Sequence, residues 1–267
     1  MFARIGFIGT GNMGSAIAKA IAAGDFSGEL LLSNRSPEKA ETLCASLPCA
    51  VTADNRTVAA SCDLIFLAVK PQMMEQALAP LQSVFAARED HFVLATMAAG
   101  LTCEKIQTLA GGAYSVIRMM PNTPAAIGEG VIQYCGTSVT EDELGEFAAL
   151  LSAAGLLDRI SEQLIDAASA VSGCGPAFVY LMIEALADGG VACGLPRAKA
   201  LAYAAKTLEG AAKMVQQTGV HPGKLKDAVC SPGGSTIEGV RALEEGGFRA
   251  AAMDAVIAAY EKTLTMK

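Results

Sequence analysis

The sequence predicts an α/β fold, a doubly wound parallel sheet of the Rossmann type, followed by an all-helical half. Three observations carry this. Short apolar runs alternate with helical patterns over roughly the first 160 residues. A glycine-rich turn joins the first run to the first helix, and strand signals stop near Glu162.

Arg4–Ile8 reads as the first strand and Asn12–Ala23 as the helix after it. Leu30–Ser33 is the next strand; Ser36 as N-cap and Pro37 at the first helical position open another helix. Leu64–Val69 is apolar without alternation, as a parallel strand covered on both faces must be. A helix is expected near Gln72–Phe85, then strands at Phe92–Thr96, Tyr114–Met119 and Val131–Tyr134. Thr140-Glu141-Asp142-Glu143 forms a capping box. Beyond Glu162, Pro176 begins one helix and Pro196 a longer one that runs to Gln217 before Gly219, about 30 Å in length. Its stripe of Leu201, Ala205, Leu208, Ala212 and Val215 has helical spacing. The expected domains are 1–162, binding a dinucleotide, and 163–267, helical and dimer-forming.

Composition narrows the function. A formal charge of −7 and a pI near 5.0 argue against general nucleic-acid binding, which relies on a basic face. The apolar fraction is 52% with a mean hydropathy of +0.39, yet no membrane span is expected. The best uncharged window, Ala167–Ile183, is interrupted by Ser172-Gly173-Cys174-Gly175-Pro176, and a span needs about twenty apolar residues. The surplus apolar surface is assigned to another copy of the chain. The eight cysteines are scattered without Cys-x-x-Cys spacing and read as small buried hydrophobes in a reducing cytoplasm. With only His91 and His221, a zinc site or a Ser-His triad has little to be built from, so no metal is expected.

The cofactor site is the clearest motif. Ile8-Gly9-Thr10-Gly11-Asn12-Met13-Gly14 supplies Gly-x-Gly-x-x-Gly between strand and helix. Gly9 permits the tight turn, Gly11 the approach of a pyrophosphate, and Gly14 close packing of helix on strand. The helix start then offers free N–H groups and a positive dipole end. An NAD site carries Asp or Glu at the end of the second strand to bind the ribose 2′-hydroxyl. Here that strand ends Ser33-Asn34-Arg35-Ser36, a cation among small polar groups, which suits the 2′-phosphate of NADP. The turns Ala68-Val69-Lys70-Pro71 and Met97-Ala98-Ala99-Gly100 also follow strands and should face the cofactor; ordinary tight packing would explain their small residues equally well.

In the second half, Ser231-Pro232-Gly233-Gly234-Ser235-Thr236 breaks one helix, and Ser235 with Glu238 reads as a capping box opening the next. Free N–H groups beside two hydroxyls suit a carboxylate ligand; a self-satisfied cap fits the local pattern as well.

The chain resembles the pyrroline-5-carboxylate reductase family. The resemblance rests on Gly9–Gly14, Ala68-Val69-Lys70-Pro71-Gln72, Arg118-Met119-Met120-Pro121-Asn122-Thr123-Pro124, Ser172-Gly173-Cys174-Gly175-Pro176-Ala177, Asp188-Gly189-Gly190-Val191, Gly194-Leu195-Pro196-Arg197 and Ser231–Thr236. These blocks span nearly the whole chain. The resemblance implies a cytoplasmic homodimer or higher oligomer that passes a hydride from NADPH to the C=N carbon of a cyclic imine, giving L-proline, with the active site completed across the dimer interface. It implies that Thr236 bonds the ring nitrogen, that Gly234, Ser235 and Thr236 hold the carboxylate, and that Asn55 joins the cofactor contacts. Ser231 and Ser172 complete the expected substrate set. Cys174 stands where many family members have a small hydroxyl residue.

A β-hydroxyacid dehydrogenase would share both halves but needs a Lys early in the second, and Leu164–Ala187 has none. A non-enzymatic NADP sensor would have no need of the Gly233–Thr236 loop. The cofactor assignment predicts higher kcat/KM with NADPH than with NADH, the weaker donor. A clear preference for NADH in initial-rate assays overturns it.

Overall fold

The computed structural model describes residues 2–34 and 36–265. Strands β1 (Arg4–Ile8), β2 (Glu29–Ser33), β3 (Ala50–Thr52), β4 (Leu64–Leu67), β5 (Val93–Thr96), β6 (Ser115–Pro121), β7 (Gly130–Thr137) and β8 (Gly155–Arg159) form one sheet, ordered β3-β2-β1-β4-β5-β6-β7-β8. Every neighbouring pair is parallel except β6 with β7. Because β1 pairs with both β2 and β4, the chain winds outward from it in both directions. That reversal of strand order opens a crevice beyond the strands' carboxyl ends.

The central strands are mostly apolar because helices cover both faces. On one face Phe7 stacks on Phe66 at 4.6 Å and both lie in a cluster with Ile17, Leu32 and Phe147. On the other, Ile8, Ile65 and Leu67 pack with Phe85 and Ile106. The covering helices are α1 (Asn12–Ala23), α2 (Pro37–Cys44), α3 (Asn55–Ser61), α4 (Met74–Leu78), α5 (Gln82–Ala86), α6 (Cys103–Ala110) and α7 (Glu141–Leu150). α7 carries the full expected capping box: Thr140 accepts from the Glu143 N–H, and Glu143 accepts from the Thr140 N–H.

The chain forms two compact units, Met1–Cys174 with Ala259–Lys267, and Gly175–Ala258. The division falls one helix beyond the change in sequence texture, because α8 (Glu162–Ser172) packs on β6 and β7. Arg118 of β6 is 1% exposed; its guanidinium pairs with Asp166 of α8 and lies 3.6 Å from Glu162, while its Nε has no partner among the described residues. After Arg159 no strand occurs among the described residues. α9 (Gly175–Ala192), α10 (Arg197–Thr218), α11 (Pro222–Ala228), α12 (Ser235–Glu245) and α13 (Phe248–Leu264) follow. Within the second unit α9 and α10 meet through Ala187, Ala200 and Ala204, and Gly219 ends α10 in the left-handed conformation.

Several expectations need correction. The helix expected over Gln72–Phe85 breaks into α4 and α5 around a 3₁₀ turn at Ala79–Leu81, because Pro80 has no N–H to continue it. β3 and β8 have no counterpart among the expected strands. Each is short, and β8 is largely exposed, so neither shows a sustained apolar run. Cys44 and Cys49 form a disulfide across the end of α2, so the cysteines are not all thiols. The break expected to exclude a membrane span is confined to Gly173-Cys174. Taken as one run, Glu162–Ala192 is long and apolar enough to cross a membrane, with 11% of its apolar window buried.

Removing one partner of a buried ion pair leaves the other charge uncompensated. Asp166→Ala should therefore lower unfolding stability by about 3–5 kcal/mol, read as a fall in the urea midpoint. A midpoint within error of the parent would show that the Arg118 pair is dispensable.

Candidate functional site

Four turns converge at the carboxyl edge of β2, β1, β4 and β5, aligned by the register Ser33–Ile8–Leu67–Thr96. They are the turns singled out from the sequence. Ile8 ends β1 and is buried; Gly9 adopts φ +100°, a conformation that disfavours any side chain. A Cβ on Gly9 would lie 2.7 Å from the Ala68 oxygen, and one on Gly14 2.8 Å from the Gly9 oxygen and 2.9 Å from the Ala68 Cβ. Gly11 differs: nothing lies within 4 Å of where its Cβ would be. Two of the glycines are required by the fold, and the third leaves an open surface.

That surface has the chemistry of an anion cradle. Gly11 caps α1 without any side-chain bond, so the N–H groups of Asn12, Met13 and Gly14 begin the helix uncapped by a side chain. Asn12 is exposed and Met13 half-buried. Thr10 is 3% exposed, and its hydroxyl has no hydrogen-bond partner among the described residues. An orphaned buried hydroxyl beside an open helix start fits a bound dinucleotide, whose phosphate oxygens accept hydrogen bonds. The Thr10 N–H donates to Asn34 Oδ1 at 3.3 Å, and Asn34 Nδ2 donates to the Ser36 carbonyl at 2.9 Å. Asn34 thereby ties the glycine turn to the turn after β2. Ser33 Oγ donates to Asn55 Oδ1 at 2.7 Å, fixing the first residue of α3 beside the same edge. Ser36 stands at the expected N-cap but makes no side-chain bond there. Arg35 lies outside the described residues.

The remaining expected cofactor residues border this edge. Ala68 and Val69 are half-buried after β4; exposed Lys70 precedes the 3₁₀ turn begun by Pro71. Met97 and Ala99 are half-buried and Ala98 fully buried, with its N–H held by Thr96 Oγ1 at 3.3 Å. The sequence marked Asn34 but gave no sign that it joins two turns, since Thr10 and Asn34 belong to different strand ends.

The expected substrate residues divide. Ser172 closes α8 in the first unit, where its hydroxyl lies 3.0 Å from both Gln133 Oε1 and the Ala168 carbonyl; its own carbonyl accepts from Asn122. Ser231, Gly234, Ser235 and Thr236 belong to the second unit. There the capping box read from Ser235 and Glu238 is absent. A turn from Ser231 O to the Gly234 N–H, with Gly233 at φ +68°, starts the helix one residue early. Gly234 is the N-cap, and no side chain caps α12. Glu238 is instead engaged by Arg241. The α12 start therefore presents uncapped N–H groups beside the exposed side chains of Ser231, Ser235 and Thr236. One further grouping carries no signal in the sequence spacing: Cys103, Cys135 and Glu162 place their ligand atoms within 4.8 Å of one another.

Comparison with known proteins agrees with both halves. Residues 162–266 match the family model for pyrroline-5-carboxylate reductase dimerisation, and residues 4–99 that for NADP oxidoreductase, coenzyme F420-dependent. The chain is 41% identical over 263 residues to pyrroline-5-carboxylate reductase of Escherichia coli K12, covering 97% of each. It is 40% identical to that of Arabidopsis thaliana, covering 97% of this chain and 94% of the relative. The solved pyrroline carboxylate reductase of Plasmodium falciparum with NADP bound superposes with a TM-score of 0.89 at 32% identity, covering 99% and 98% of the two chains.

The two kinds of glycine should separate on substitution. Gly11→Val should fold normally yet weaken NADPH binding by about a hundredfold, since it fills the open surface where a charge-assisted contact would form. Gly9→Ala should lower thermal stability as well. Fluorescence titration with circular dichroism reads both; full NADPH affinity in Gly11→Val would place the nucleotide elsewhere.

Proposed function

The chain belongs to the pyrroline-5-carboxylate reductase family, and from that premise we infer that it reduces 1-pyrroline-5-carboxylate to L-proline with NADPH, the last step of proline biosynthesis. The observation that carries this reading is the glycine turn with its orphaned Thr10 hydroxyl, in a chain aligned end to end with reductases of that name.

Each half has a separable task. The α1 start holds the pyrophosphate, with Ile8 to Gly14 as its floor, and Thr10 Oγ1 gains the acceptor it lacks. Asn34, Arg35 and Ser36 receive the 2′-phosphate. Asn55 and Ala68 to Pro71 border the nucleoside, and Met97 to Ala99 offer a flat backbone surface to the nicotinamide. When bound, NADPH supplies the hydride to the C=N carbon. At the α12 start, the backbone N–H groups of Ser235 and Thr236 and the hydroxyl of Ser231 hold the substrate carboxylate. The Thr236 hydroxyl orients the ring nitrogen. Ser172 serves as a support, since its hydroxyl already lies against Gln133 and Ala168.

This division needs no catalytic histidine or carboxylate pair. A protonated cyclic imine is electrophilic already: hydride adds to carbon, the C=N π pair becomes the nitrogen lone pair, and the ring amine results. What remains is proximity and orientation, which supply much of the barrier reduction. Self-association follows from the dimerisation segment at 162–266 and uses the exposed apolar residues of the helices. We propose 1–162 and 163–267 as the functional halves, no nucleic-acid or membrane partner, and the cytoplasm as the compartment, where six of the cysteines remain thiols.

Thr236→Ala tests the chemical assignment. Losing a hydrogen bond to a charged nitrogen costs about 1.5–3 kcal/mol, so turnover should fall roughly ten- to a hundredfold. NADPH affinity and the far-ultraviolet spectrum should not change. Wild-type turnover in that variant removes Thr236 from the mechanism.

A further inference from the structure

Away from the cofactor edge, three side chains from three elements meet in the first unit. Cys103 is the first residue of α6, Cys135 lies in β7, and Glu162 is the first residue of α8. Cys103 and Cys135 are 1% and 7% exposed, while Glu162 reaches solvent. Their two sulfurs and a carboxylate oxygen all lie within 4.8 Å of one another. Glu162 is held in place: its Oε1 accepts the Cys103 N–H at 2.7 Å. The nearby cation, Arg118, has its charge engaged by Asp166 and lies 3.6 Å from that same oxygen.

We propose that Cys103, Cys135 and Glu162 form a binding site for a thiophilic divalent cation of the zinc class.

Ligand chemistry and size both favour this class. Two sulfurs with one carboxylate suit zinc, cadmium or cobalt and not magnesium or calcium, which take oxygen alone. A tetrahedral zinc with bonds of about 2.3 Å to sulfur and about 2.0 Å to oxygen sets its sulfurs about 3.8 Å apart and sulfur from oxygen about 3.5 Å, so the sulfurs need to draw in by at most about 1 Å and the carboxylate oxygen by slightly more. A cavity of about 420 Å³ lined by Cys135, Thr137, Arg159, Ser161 and Glu162 gives the ion a way in and room for a water as fourth ligand. On binding, the two thiol protons pass to solvent. The ion would clamp the N-termini of α6 and α8 to β7. It has no part in hydride transfer, so the proposal stands apart from the reductase reading.

The test uses the full chain, stripped of metal and kept under argon without reductant so that the Cys44–Cys49 disulfide stays closed, titrated with Cd²⁺ and followed by thiolate-to-cadmium absorption. The half-exposed or exposed thiols Cys174, Cys193 and Cys230 compete, so they are removed together as Cys174→Ser, Cys193→Ser and Cys230→Ser. That variant should still take up one equivalent. Adding Cys103→Ser and Cys135→Ser should weaken binding by about a hundredfold or more. Glu162→Gln, which retains an acceptor for the Cys103 N–H, should weaken it about tenfold and serves where the cysteine variant does not fold. Uptake unchanged by these substitutions, or no uptake by the triple-serine variant, overturns the proposal.

Discussion

The structure turns on the clearance at Ala68. The turn after β1 and the turn after β4 press together so closely that neither Gly9 nor Gly14 has room for a methyl group. Ala68 itself must be small, because a larger side chain would drive α1 off the sheet. This contact fixes the height of the α1 start above the strand ends, and with it the position of every free N–H there. The rest of the edge is tied to that point by short polar links, from Thr10 to Asn34 and from Ser33 to Asn55. A protein with a formal charge of −7 can therefore hold a polyanion without a basic face. Backbone N–H groups and one helix dipole act at contact distance, where they outweigh a diffuse acidic surface.

How much of this was legible depended on whether the signal was local. β1, β4 and β5 announce themselves because both faces are covered and their buried positions are apolar apart from Thr96. The Thr140 capping box was readable because both of its bonds close within four residues. The same pattern at Ser235 misled, since the turn made by Ser231 and Gly233 decides where α12 starts and Arg241 takes Glu238 away. Sequence spacing shows which residues can cap, not which turn delivers them. β3 and β8 are sheet edges with little burial, and burial is what writes a pattern into a strand. The Cys44–Cys49 disulfide, the Arg118–Asp166 pair and the meeting of Cys103 with Cys135 rest on side-chain direction, to which periodicity is blind.

The candidate site was legible in the same uneven way. The four cofactor turns could be placed because parallel strands put all their carboxyl ends at one edge, so each strand end is automatically a neighbour of the next. The orphaned Thr10 hydroxyl could not be foreseen, because a Thr in that turn has several conceivable partners until the backbone excludes them. For the substrate residues the sequence left a receptor and a self-capped helix equally open. The structure removes the self-cap, and the uncapped α12 start supports the receptor.

The helical unit adds a last constraint. Its buried apolar core among the described residues is Ala187, Ala200 and Ala204, too little to hold several helices by burial alone. Yet Tyr180, Leu181, Tyr203 and Met253 are each more than half exposed. A surface of that character is stable in water only when another apolar surface covers it. The segment's match to a dimerisation family supplies that cover as a second copy of the chain. Association is then a condition of the unit's stability and not an addition to it. The α12 start is ordered only as far as its unit is, so on the proposed assignment of the imine to that start, assembly and substrate binding share one origin. It follows that a weak dimer should lose affinity for the imine before it loses affinity for the nucleotide, whose turns are fixed by the sheet.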